Sequence, residues 1–202
     1  MALERLLRFR PGEWVLPLGL VVLLLALGLG GPDTIAALRY ERSAVLGGEA
    51  WRLVTAHLVH GDAAHLGWNI VGVLVVWVLF ARDFSPRQWL VVMAASTVSA
   101  SLGFLLLEPD LAWYVGFSGV LHGCTAAGLL AWLRSARDPL TWFVTGLFVA
   151  KLAWEHVAGA LPFTAASMSL PVVHEAHTYG AFGGALVALW ILCRPRMRGA
   201  SL

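Results

Sequence analysis

An all-α membrane protein of six transmembrane helices is the fold class this chain predicts, and three observations predict it. Of its 202 residues 59% are hydrophobic and only 13% charged, against roughly 25% charged in a soluble domain, and the mean hydropathy is +0.76. The apolar residues fall into about six segments, each near the ~20 residues that cross a hydrocarbon core of about 30 Å. Ten of the 14 Lys and Arg residues (Arg5, Arg8, Arg10, Arg82, Arg87, Arg134, Arg137, Arg194, Arg196, Arg198) lie on the tails and loops that six spans put on one side. The positive-inside rule makes that side the cytoplasm and places both termini there.

The elements follow in order. Residues 1–13 form a cytoplasmic tail, and the first span runs from about Trp14 to Leu29. It reads as a retained anchor, because a signal peptide would be shorter and end in a small-residue cleavage site. Residues 30–56 form the first outer loop, polar through residue 50, with a short helix at the interface. The second span begins near His57 and ends before Arg82; the third covers Trp89 to Leu107, with Glu108 and Asp110 marking a short loop. The fourth covers Phe117 to Arg134, Pro139 opens the fifth, which reaches Leu161, and 162–171 are loop. The sixth runs from His174 to Cys193, before a basic tail, 194–202. The spans use nearly all of 1–202, which therefore reads as one domain. Cys124 and Cys193 sit in apolar segments on opposite membrane sides, so both read as buried small hydrophobes rather than a disulfide or a metal pair. A net charge of +2 does not suggest nucleic acid, and no motif calls for a metal or cofactor.

Polar residues gather at the outer ends of the second, fourth, fifth and sixth spans: all seven histidines, with Ser118, Asn69, Lys151 and Glu155. Ionisable groups are costly in hydrocarbon and face a bundle interior or a water-filled cavity. Their convergence in one leaflet points to a site open to the outside.

Ser118 stands between Gly116 and Gly119 at the head of an apolar helix. Alone, such a serine reads as a helix-packing residue; its neighbours change the reading. A serine hydroxyl needs a base to become a nucleophile, and histidine, with an unperturbed pKa near 6.5, suits that role. Two histidines are candidates. His177 shares a helical face with Gly180 and Gly184, which would let the sixth helix press on the fourth; His122 lies one turn after Ser118. Attack on a carbonyl also requires donors for the oxyanion. His65 and Asn69, four residues apart, supply them from one helical face, and the Ser118 N–H at a helix start adds another.

Three motifs carry a resemblance. GxSG appears as Gly116, Phe117, Ser118 and Gly119; HxxxxHxxxN as His60, His65 and Asn69; AHxxGxxxG as Ala176, His177, Gly180 and Gly184. With the preceding pair Trp51–Arg52, they make the chain resemble the rhomboid intramembrane serine proteases over about residues 50 to 190. The resemblance implies a six-helix rhomboid-like bundle, a catalytic dyad of Ser118 and His177 without a third acid, and an oxyanion hole of His65, Asn69 and the Ser118 amide. Where most of the family carry tyrosine, this chain has His122. The form GxSGxLHG, with Lys151, Leu152 and Glu155 as KLxxE, is similar to the rhombosortase subgroup. That similarity implies a bacterial inner-membrane enzyme, its site open to the periplasm, that removes C-terminal GlyGly-type transmembrane sorting tails from exported proteins.

His60, Gly116, Gly119, His122, Lys151 and Glu155 are then supporting or substrate-binding candidates. Lys151 and Glu155, one turn apart, read most simply as a salt bridge neutralising two buried charges, and His60 could equally tie the first loop to its helix. The competing functions are acyl transfer to an amine at the same site, a proton-coupled transporter using the histidines as a relay, and a non-catalytic rhomboid-like binding protein. Titratable groups confined to one leaflet argue against the transporter.

Overall fold

The computed structural model describes residues 11–162 and 171–194. The expected tails 1–10 and 195–202, and most of the loop before the sixth span, lie outside the described residues. After a short 3₁₀ turn, Pro11–Trp14, the order is α1 (Val15–Leu29), α2 (Gly31–Leu38), β1 (Tyr40–Glu41), α3 (Arg42–Leu46), α4 (Arg52–Thr55), α5 (Ala63–Phe80), α6 (Pro86–Leu107), β2 (Trp113–Tyr114), α7 (Ser118–Ser135), α8 (Pro139–Ala158) and α9 (Glu175–Cys193).

Among the described residues four helical segments are long and apolar enough to cross a membrane: Gly12–Leu29, Ala63–Phe80, Pro86–Leu107 and Glu175–Cys193. The helices α7 and α8 have sufficient length, 18 and 20 residues, but their glycines and polar side chains, His122 and Arg134 in one and Lys151, Glu155 and His156 in the other, lower their hydropathy. Leu18, Val22, Val71, Val78, Val98 and Leu102 all point outward, the pattern of helices solvated by hydrocarbon.

The helix expected as the second span, α5, starts later than expected, at Ala63 rather than His57. Asp62 is extended and its carboxylate accepts the His65 N–H at 2.7 Å, an N-cap that fixes the helix start and leaves His57 and His60 in the preceding turn. The helix expected as the fifth span, α8, stops at Ala158, not Leu161, because Gly159 takes a left-handed φ of +79°, which ends helices readily at glycine. Ser85 and Gln88 form a capping box at the start of α6, as their spacing favours.

The first loop is more structured than a polar connection with one interfacial helix. Its three short helices are pinned by arginines: Arg42 donates to the carbonyls of Phe104, Leu105 and Glu108 at the end of α6, and buried Arg52 donates to those of Ala36 and Arg39 at 2.8 and 2.9 Å. Cationic donors satisfy helix-end carbonyls and complement the dipole. In the same loop β1 pairs antiparallel with β2, Tyr40 opposite Tyr114, bracing the chain just before Ser118.

The most extensive packing joins α9 to α7 and then to α6. The main core holds Leu24, Val73, Trp77, Phe80, Trp89, Val92 and Val120; a second cluster around Tyr40, Phe104 and Tyr114 underlies the first loop. Cys124 is buried as expected, whereas Cys193 is exposed, because it ends α9 at the margin of the bundle.

Candidate active site

The N-terminal ends of α5, α7 and α9 and the C-terminal end of α8 meet at one end of the bundle. They line a cavity of about 490 Å³ that includes His65, Asn69, Ser118, His122, Glu155 and His177.

Ser118 is the first residue of α7, so its N–H has no intrahelical acceptor. The approach to it is held rigidly. Gly116 N–H donates to the Ala56 carbonyl at 3.0 Å, and the Tyr114 hydroxyl donates to the Gly116 carbonyl at 2.6 Å. Gly116 has φ +126°, a conformation side chains avoid; a Cβ there would stand 2.6 Å from the His65 ring. The glycine thus turns the chain and lets His65 lie over it, close to Ser118.

His177, in the first turn of α9, is 4% exposed, and its Nε2 is 3.0 Å from Ser118 Oγ. The contact depends on glycine. A Cβ on Gly119 would stand 2.7 Å from the Ala176 carbonyl, and one on Gly180 or Gly184 would collide with the carbonyls of Gly119 and Gly123. Two backbones in contact bring the serine and histidine within hydrogen-bond reach.

The absence of a third acid, implied by the resemblance, does not match the geometry. Glu155 Oε2 lies 2.9 Å from His177 Nδ1, and Glu155 is only 2% exposed. Lys151 Nζ donates to the same oxygen at 2.7 Å, so the expected Lys151–Glu155 pair exists but is not self-contained. The carboxylate can only accept, so His177 carries its proton on Nδ1 and presents a bare Nε2 to Ser118 Oγ–H.

His122 is placed otherwise. Its Nδ1 is 2.7 Å from the Ser118 carbonyl and its Nε2 is 2.8 Å from Lys151 Nζ. A carbonyl only accepts and an ammonium only donates, so both ring nitrogens are engaged and neither faces the Ser118 hydroxyl. Of the two candidate bases, the hydroxyl therefore meets His177. The His122 ring stacks on His177 with centroids 4.0 Å apart and planes 15° apart.

Asn69 is buried, and its Nδ2 donates to the His65 carbonyl at 2.9 Å; the amide retains a second N–H. His60 is buried with its ring edge-on to His65, centroids 5.0 Å apart, and among the described residues neither ring nitrogen has a partner. Burial, followed by the neighbouring His65, lowers its pKa to about 3. His57 serves the scaffold: Nε2 donates to Ser101 Oγ at 3.0 Å, and that hydroxyl donates to the Leu53 carbonyl. Burial lowers the His57 pKa to about 4.

His122, Glu155 and His177 bring ligand-type atoms within 4.8 Å of one another, the spacing of a cation site. The Lys151 ammonium already satisfies His122 and Glu155 there. The role of Glu155 beside the histidine was the feature sequence reasoning missed: residues 155 and 177 lie on different helices, and the i,i+4 lysine offered a sufficient local explanation.

Residues 47–195 match the Rhomboid domain family. The chain is 26% identical over 184 residues to the rhomboid protease GlpG of Salmonella typhi, an alignment covering 90% of this chain and 63% of that protein. The GlpG proteins of Salmonella newport and Salmonella typhimurium match to the same extent. The chain thus spans 63% of the length of these curated relatives.

Proposed function

Because this chain belongs to the rhomboid family, we propose that it is an intramembrane serine endopeptidase in which Ser118 is the nucleophile and His177 the general base. The observation that carries the reading is the 3.0 Å approach of Ser118 Oγ to His177 Nε2 in a cavity at one end of a bundle of apolar helices. Ser118 Oγ attacks the scissile carbonyl carbon as its proton passes to His177 Nε2. The C–N bond breaks and that proton goes to the leaving amine. Water then attacks the ester, its proton moves to Nε2, the ester bond breaks and Ser118 regains a proton. Charge on the carbonyl oxygen is met by the Ser118 N–H, His65 and the second N–H of Asn69.

The topology that fits this chemistry is six spans with both termini cytoplasmic in a bacterial inner membrane. Arg82, Arg87, Arg134, Arg137 and Arg194 lie at helix ends remote from the site, so the positive-inside rule turns the site to the periplasm. The substrate class is a transmembrane protein with a C-terminal GlyGly-type sorting tail, supported by the rhombosortase-like pattern of His122, Lys151 and Glu155. Peptide carbonyls within a membrane helix are already hydrogen-bonded, whereas paired glycines weaken the helix by roughly 1 kcal/mol each and free a carbonyl for attack.

The test is co-expression with a reporter carrying such a tail. Wild-type protein releases the reporter, and Ser118→Ala or His177→Ala leaves it membrane-bound while still inserting. Release by either variant contradicts the assignment.

A further inference from the structure

Five hydrogen bonds form a closed ring that begins and ends on Ser118. His122 Nδ1 donates to the Ser118 carbonyl at 2.7 Å, Lys151 Nζ donates to His122 Nε2 at 2.8 Å and to Glu155 Oε2 at 2.7 Å, His177 Nδ1 donates to Glu155 Oε2 at 2.9 Å, and Ser118 Oγ donates to His177 Nε2 at 3.0 Å. With His177 neutral, every proton in it has a forced position, because the carbonyl and carboxylate accept only and the ammonium donates only. No other tautomer of either histidine closes the ring.

Resting on the serine–histidine reading above, we propose that Glu155 is a positioning residue for the reaction, holding His177 in the tautomer that serves Ser118, and that Lys151 and His122 hold Glu155 in turn. The burial pattern of α8 supports this. Thr141 and Glu155 are its buried residues, while Leu147, Val149, Trp154 and Val157 face outward. An i,i+4 ion pair forms equally well on a helix surface and contributes little there. Burying the carboxylate carries a desolvation cost that one lysine offsets only with good geometry and further hydrogen bonds. The further bond Glu155 accepts comes from the catalytic imidazole, on the nitrogen opposite the one that faces the hydroxyl. When His177 takes the serine proton, the new positive charge lies against this carboxylate. The stacked His122 ring restricts the imidazole from a second side.

The experiment is fluorophosphonate labelling of the full chain in native membranes, with the maximal labelling rate separated from probe affinity. Glu155→Gln preserves shape but removes the charge: a single neutral amide oxygen must now accept from both Lys151 and His177, which weakens the hold on the tautomer and takes away the negative charge that faces the imidazolium. Its maximal rate is expected to fall roughly 10²- to 10⁴-fold with probe affinity unchanged, a split that a loosened fold would not give. Glu155→Asp, with its carboxylate drawn back by one methylene, is expected between the two, about tenfold below wild type. A wild-type rate for Glu155→Gln, with Ser118→Ala and His177→Ala both silent, overturns this proposal and leaves the protease reading intact. Labelling of Ser118→Ala overturns the protease reading itself. Should Glu155→Gln fail to insert, Glu155→Asp decides the matter, and a wild-type rate there overturns the role of Glu155.

Discussion

Gly180 rests against the carbonyl of Gly119 with no space for a methyl group between them. One turn before Gly180 stands His177 and one residue before Gly119 stands Ser118, so this backbone contact sets the distance between hydroxyl and imidazole. Gly180→Ala is therefore expected to force α7 and α9 apart. Overpacking typically costs about 1–3 kcal/mol, which thermal unfolding in detergent would register as a drop of several degrees, and cleavage should be lost with it. Gly146→Ala is the control: nothing lies within 4 Å of a Cβ there, and both stability and cleavage should be retained.

Gly116→Ala should damage the reaction by a different route. The left-handed φ of +126° strains alanine, and the new methyl meets the His65 ring at 2.6 Å. Turnover of a tailed reporter is expected to fall while α7–α9 packing, followed by thermal stability, changes less than in Gly180→Ala. Full turnover would show that His65 need not lie over this glycine.

Loss of an oxyanion donor has a kinetic signature. Asn69→Ala and His65→Ala should each lower kcat roughly 10²- to 10³-fold with KM little changed, because the developing charge exists only after attack. A change in KM alone would assign these side chains to substrate binding.

The first loop should be acid-sensitive. Burial holds His57 near pKa 4 and His60 near 3, both below the unfolded value of about 6.5. As pH falls below about 6.5 the unfolded chain takes up protons the folded chain refuses, so stability present above that pH is progressively lost toward pH 3–4. At pH 5 the loss is on the order of 2 kcal/mol per histidine. Thermal unfolding in detergent at pH 7.5 and pH 5 measures it, and His57→Gln, which keeps a donor for Ser101, should flatten the difference.

Much of this arrangement was legible in the sequence because it is local or periodic. The spacing of His65 and Asn69, and of His177, Gly180 and Gly184, places each set on one helical face. The apolar runs gave the long helices to within a few residues. The start of α5 was misplaced because an Asp62 cap outweighs apolar residues before it, and the end of α8 because a left-handed Gly159 stops the helix. The first loop's short helices depend on Arg42 and Arg52 reaching carbonyls far along the chain, which no local pattern encodes. Glu155 was hidden for the same reason: its meaning comes from residue 177 on another helix, whereas Lys151 stood one turn away with a simpler explanation.

The account depends most on the Ser118 hydroxyl being activated by His177. Fluorophosphonate labelling of the protein in its membrane, with the modified residue located by mass spectrometry, tests that directly. The expected result is modification at Ser118 in the wild type, abolished in His177→Ala at equal expression. Labelling elsewhere, or at Ser118 with undiminished rate in His177→Ala, would contradict it.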